Sequence, residues 1–195
     1  KTTTPSESYI VSKAIDLSAS KGATLEFSYV LRYVTKNGAA VEGVKNQVLI
    51  TDNYTGDPAT TKWTDITGTM KEGTDWVTWE TYKHDLSDFK GKKNVVIALH
   101  YACAASSGTW EVKNLSVKEA TGETPDTPSK PDTPTDGYIN ETFSKSFGSF
   151  TAKTIKGTAW VIDSYGYAKA TGYDNASKTT TPSESYIVSK AIDLS

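Results

Sequence analysis

Residues 1–18 read KTTTPSESYIVSKAIDLS, and residues 178–195 read the same. Identity over that length is not an accident of composition, so the chain returns to its own beginning and carries one full period of something periodic. No other stretch repeats. A fold built from this chain has one place for the segment and two occupants that suit it equally, which constrains the architecture more than any other feature.

Between the copies, residues 120–136 carry Pro125, Pro128, Pro131 and Pro134 at a spacing of three, separated by Asp, Thr, Ser and Lys. Proline removes backbone donors and favours the extended polyproline conformation, so this reads as a semi-rigid spacer, with a docking peptide for a proline-reading partner as the alternative. Each flank looks incomplete. Residues 1–119 start on the repeated segment, whereas residues 137–195 end on it. Setting 137–195 ahead of 19–119 restores a stretch of ordinary sandwich length. The expected organisation is therefore the C-terminal part of a sandwich in 1–119, a linker in 120–136, and the N-terminal part of the same type of sandwich in 137–195.

The remaining pattern is that of strands. Leu25, Phe27, Tyr29, Leu31 and Tyr33 alternate with Glu26, Ser28 and Arg32, and Val95, Ile97, Leu99 and Tyr101 alternate likewise. Period two with aromatic and β-branched residues is the strand signal. Val48-Leu49-Ile50 reads as a short buried strand leading into the turn-rich stretch Asp52 to Pro58. Trp110 and Val112 are in phase, but Leu115 and Val117 are one residue out, which predicts a β-bulge around Lys113-Asn114. No dozen residues show helical periodicity. The expected fold is an all-β sandwich.

Composition closes off several functions. A net charge of −2 gives no field for nucleic acid, and no apolar run approaches the roughly 20 residues of a membrane span. The stretch after Lys1 lacks the charged-then-apolar pattern of a leader, so none is expected in the chain. The one cysteine, Cys103, continues the bulky face of its strand and reads as a buried structural thiol. His84 and His100, the two histidines, lack metal-ligand spacing, and no G-x-S-x-G elbow occurs. Asp52, Asp57, Asp65, Asp75 and Asp85 sit at turns or strand ends, which is ordinary for solvated acids. The chain reads as non-enzymatic.

In restored order, further residues carry a resemblance. Gly157-Thr158-Ala159-Trp160 and Gly166-Tyr167-Ala168-Lys169-Ala170 lead to the segment YIVSKAIDLS. After these come Val48 to Gly56, which runs into TDNYTGDPATTKWTDIT (51–67), then Asp85-Leu86-Ser87 and Thr109-Trp110-Glu111-Val112-Lys113-Asn114. This resembles the choice-of-anchor J domain, a relative of the cleaved-adhesin domains that accompany gingipain proteases. The resemblance implies a galactose-binding-like jelly roll from secreted or surface-anchored bacterial proteins, at an extracellular or cell-surface location. It further implies a non-catalytic module for adhesion or accessory binding. Some cleaved-adhesin relatives hold structural calcium through acidic loops. Here Lys113-Asn114 stands where that family commonly has Asp-Asn, and Thr154-Ile155-Lys156-Gly157 replaces an acidic loop. Glu111, Asn114 and Glu141 are the residues left for a calcium ion, and no cofactor is expected.

Aromatic residues are the better lead, with 5 Trp and 11 Tyr. Trp79, Trp110 and Trp160 align with strand positions of that family and read as core. Trp76 follows Asp75 in a loop, and Tyr54, Tyr165 and Tyr173 lie in turn-rich stretches. Flat rings with polar neighbours at loop tips suit sugars, with simple capping of the core edge as the alternative. Two functions follow. One is a surface adhesion or structural repeat that associates with neighbouring copies, head to tail or by strand exchange. The other is a carbohydrate-binding accessory module; glycans or host surface proteins are the other partners expected. A permuted or alternately folding engineered chain would show the same doubled ends.

Overall fold

The computed structural model describes residues 6–104, 108–119, 137–174, 179–180 and 183–186. The proline-rich spacer and most of the second repeat copy lie outside them.

The architecture is an all-β, jelly-roll-like sandwich of two antiparallel sheets. One sheet holds β1 (Ser6–Ser12), β5 (Lys45–Thr51), β6 (Thr64–Asp65), β8 (Val96–Cys103), β11 (Phe150–Gly157) and β16 (Ser183–Tyr186), in the order β16-β11-β1-β8-β5-β6. The other holds β2 (Ala23–Arg32), β7 (Glu80–Asp85), β9 (Thr109–Glu119), β12 (Val161–Ile162) and β13 (Ala168–Thr171), in the order β12-β13-β9-β2-β7. Here β10 (Ile139–Glu141) pairs farther along β9. Two small hairpins, β3 (Thr35–Lys36) with β4 (Ala39–Ala40) and β14 (Tyr173–Asp174) with β15 (Thr179–Thr180), stand apart from the sheets.

Both flanks of the spacer contribute to both sheets. From residues 137–174, β11 pairs with β1, while β10 and β13 pair with β9. The core between the layers is correspondingly mixed: Ile10, Ile50, Leu99 and Tyr101 meet Phe27, Trp110 and Val112, and Phe143, Phe150 and Trp160 complete it. The Trp110 and Trp160 rings lie 5.5 Å apart across the join. The Tyr101 hydroxyl fastens the same seam, donating to the Gly108 carbonyl at 2.7 Å and accepting from the Gly172 N–H at 3.1 Å.

The first repeat copy occupies a central slot. β1 pairs with β8 on one side and β11 on the other, and every residue from Ser6 to Ser12 except Glu7 is buried. On its outer face Tyr9 stacks on His100 at 3.9 Å, Glu7 Oε1 lies 2.6 Å from His100 Nε2, and Gln47 Oε1 lies 2.8 Å from Nδ1. Burial pushes the His100 imidazole below its ordinary pKa, opposed by Glu7, and the His100 contact holds the Glu7 carboxyl low. The backbone of the second copy also pairs with β11. Ser185 and Tyr186 face Thr154 and Lys153, the same two residues that Ser8 and Tyr9 face from the other side. Both copies thus read β11 in one register.

Strand periodicity is realised with two differences. Leu25, Phe27, Tyr29 and Leu31 are all buried, but Tyr33, expected on the same face, is 56% exposed. The strand ends at Arg32, and Tyr33 turns to a φ of 61°, which takes its ring out of alternation. β8 is buried at all eight residues rather than on one face. Its outer side belongs to a second cluster with Tyr9, Val11 and Leu49, roofed by Tyr54 and Trp63 from the 52–63 loop. The bulge is where the phase slip put it: Glu26 faces Ser116 and Ser28 faces Lys113, so β9 carries one extra residue, with Asn114 at a φ of 54°. Cys103 is a buried free thiol.

Candidate aromatic cleft

Alternation along β9 decides what this site is made of. Trp110 and Val112 point into the core, so Glu111 and Lys113 emerge on the outer face of the sheet. On β13, Ala168 and Ala170 are buried, so Lys169 emerges too, and the ladder sets it directly opposite Glu111. Two loops raise rings around this polar strip.

The turn between β12 and β13 is closed by Asp163, whose Oδ1 accepts the Tyr165 N–H at 3.0 Å while its carbonyl accepts the Gly166 N–H at 2.9 Å. Gly166 sits at a φ of 81°, which an L side chain rarely adopts, and the turn presents Tyr165 and Tyr167. The loop before β7 is held by Asp75. Its Oδ1 accepts the Val77 and Thr78 N–H groups at 2.8 and 2.6 Å, and these bonds hold its carboxyl below the usual range. That loop presents Trp76 and Trp79.

The result is a cleft of about 650 Å³ lined by Trp76, Val77, Trp79, Glu111, Lys113, Tyr165, Tyr167 and Lys169. That size suits a small organic ligand. Trp79 and Tyr167 meet edge to face at 5.5 Å, and Tyr165 lies parallel to Tyr167 at 6.4 Å. Tyr165 is 85% exposed and Trp76 43% exposed.

The charged groups are held in contrasting ways. Glu111 is 2% exposed; burial pushes its carboxyl above the ordinary range, opposed first by Lys169 and then by the Tyr167 hydroxyl. Its Oε2 has no hydrogen-bond partner. Lys169 Nζ is shared between Glu111 at 3.7 Å and Asp163 at 3.4 Å. Lys113 Nζ instead lies 3.8 Å over the Trp79 ring. Next to the cleft the Arg32 guanidinium rests between Tyr33 and Trp76, 5.1 and 5.3 Å from their ring centres.

Of the four aromatic residues singled out from sequence, the structure brings Trp76 and Tyr165 together here. Tyr54 is elsewhere, half-buried against Trp63 at 5.8 Å, and burial raises its hydroxyl to about 12. Tyr173 lies in the small hairpin and does not line the cleft. Trp79, expected in the core with Trp110 and Trp160, is not there, because it precedes β7 on the outer face and stacks with Lys113 and Tyr167. Tyr167, Lys113 and Lys169 were not anticipated as site residues. The outward phase of Lys169 between two alanines was the available signal, but its partner strand was not.

The calcium candidates have separate engagements. Glu111 faces Lys169, Asn114 is the exposed bulge residue, and Glu141 Oε1 accepts the Ser149 N–H at 2.6 Å. Among the described residues no group of three His, Cys, Asp or Glu side chains is placed to hold a metal ion. No protein-family model matches the chain, and no curated protein matches it.

Proposed function

We propose that this chain is a non-catalytic adhesion module of a bacterial surface that holds glycan in the Trp76–Tyr165 cleft. The observation behind this reading is the gathering of four aromatic rings around a buried carboxyl and two ammonium groups. Ring faces accept the C–H faces of a sugar, while Glu111 and the lysines offer an acceptor and donors for its hydroxyls. Glu111 and Asp163 are both engaged with Lys169, which suits a binding site better than a hydrolytic pair of carboxyls facing each other across a sugar. The resemblance to choice-of-anchor J and cleaved-adhesin domains points the same way.

Glycan binding should quench tryptophan fluorescence at micromolar to millimolar concentrations. Tyr165→Ala and Trp76→Ala should each weaken binding about tenfold, equivalent to losing roughly 1.4 kcal/mol of ring contact. A glycan array without hits, or affinity unchanged in both variants, would remove this reading.

A second reading, a structural repeat that joins its neighbours by strand exchange, is favoured by one observation. Both copies of the repeated segment face β11 in the same register, so either suits the slot between β11 and β8. A head-to-tail contact of this kind grows into an open chain unless it closes into a ring. Light scattering should then show mass rising with protein concentration. A monomer at every concentration would exclude exchange between molecules.

A further inference from the structure

Resting on the glycan reading, we infer that the cleft selects acidic sugars, with the carboxylate of a uronate residue held by Lys113. Cations beside a binding cleft ordinarily find carboxylates, and one of these does: Lys169 lies between Glu111 and Asp163. Lys113 does not. Among the described residues it forms no ion pair, and it rests on the Trp79 ring face that lines the cleft.

Lys113 therefore covers the Trp79 face that a sugar ring would need, and a ligand has to move it. A neutral sugar gives the displaced ammonium only hydroxyls. A uronate gives it a carboxylate, and a charge-assisted bond to carboxylate outweighs an exposed cation–π contact. The same exchange uncovers Trp79 for stacking. Glu111 does not oppose this arrangement strongly, since Lys169 sits against it.

The test titrates the intact chain with hexamers of galacturonate, of neutral xylose and of a sulfated neutral sugar, and with polyglutamate of matched charge. Tryptophan fluorescence and calorimetry are read at low and at about 0.5 M salt, where surface charge is screened to a few ångströms. Oligogalacturonate should bind at least tenfold more tightly than the neutral hexamer and weaken with salt. Lys113→Gln should remove most of that preference, and Lys113→Arg should keep it with an unchanged melting curve. Equal binding of neutral and acidic hexamers, unaffected by Lys113→Gln, would overturn the acidic preference while leaving glycan binding intact. Tighter binding of the sulfated sugar, or equal binding of polyglutamate, would overturn the uronate assignment. Failure of every sugar to bind would instead remove the glycan reading beneath it.

Discussion

Ile10→Ala alone is expected to cost less than about 1 kcal/mol of folding stability, whereas Ile10→Ala together with Ile187→Ala should cost about 3 kcal/mol. Ile10 is fully buried in β1, between Leu99 on β8 and Ala152 on β11. Truncating an isoleucine in such a place normally costs roughly 2–5 kcal/mol, from lost transfer energy and the cavity left behind. This chain has a remedy that an ordinary sandwich lacks. Residues 178–195 repeat residues 1–18, and Ile187 is the counterpart of Ile10. The second copy already addresses β11 in the required register. When the first copy is damaged, the intact one can fill the slot with the same side chains, so the single variant loses only the difference between the two placements. Urea denaturation of both variants measures this through the midpoints at constant slope. A full loss of about 3 kcal/mol in the single variant would mean that the first copy alone owns the slot.

Trp160→Ala should destabilise the domain by about 3–5 kcal/mol, among the largest losses available to a single truncation here. Trp160 comes from one side of the proline-rich spacer and packs on Trp110 from the other, and both are buried. Its removal opens a cavity at the place where residues 137–174 join the rest of the sandwich, and no repeated copy exists to refill it. Trp160→Phe should recover much of the loss, because the indole Nε1 it discards has no hydrogen-bond partner. Trp76→Ala provides the contrast: its ring is partly exposed at the cleft, and stability should change by about 0.5 kcal/mol or less. Thermal and urea unfolding of the three variants check the ranking, and a loss below about 1 kcal/mol for Trp160→Ala would deny this seam its role.

Much of the local structure is legible in the sequence. Alternation in Leu25 to Leu31 marked β2 and its buried face, because a half-buried strand has to repeat every two residues. The slip between Val112 and Leu115 marked the bulge at Asn114, since one extra residue is what returns both ends of β9 to the core. The expected incompleteness of each flank is not what the strands show: residues 6–119 supply strands to both sheets, and residues 137–174 add β10, β11, β12 and β13 to them.

The cleft was only half legible, and the reason is physical. Trp76 and Tyr165 could be picked out because aromatic side chains in turn-rich loops have no core to enter. Glu111, Lys113 and Lys169 could be recognised as outward residues, but not as neighbours, since that depends on β13 pairing with β9 across the spacer. Tyr54 looked like the cleft tyrosines in sequence, yet it roofs the second cluster with Trp63. Local pattern sufficed for the buried face of β2, the bulge in β9 and the doubled segment, which depend on near neighbours along the chain. Which outward rings and charges share a cleft depends instead on pairing between distant strands, which sets residues side by side in a way that no local pattern encodes.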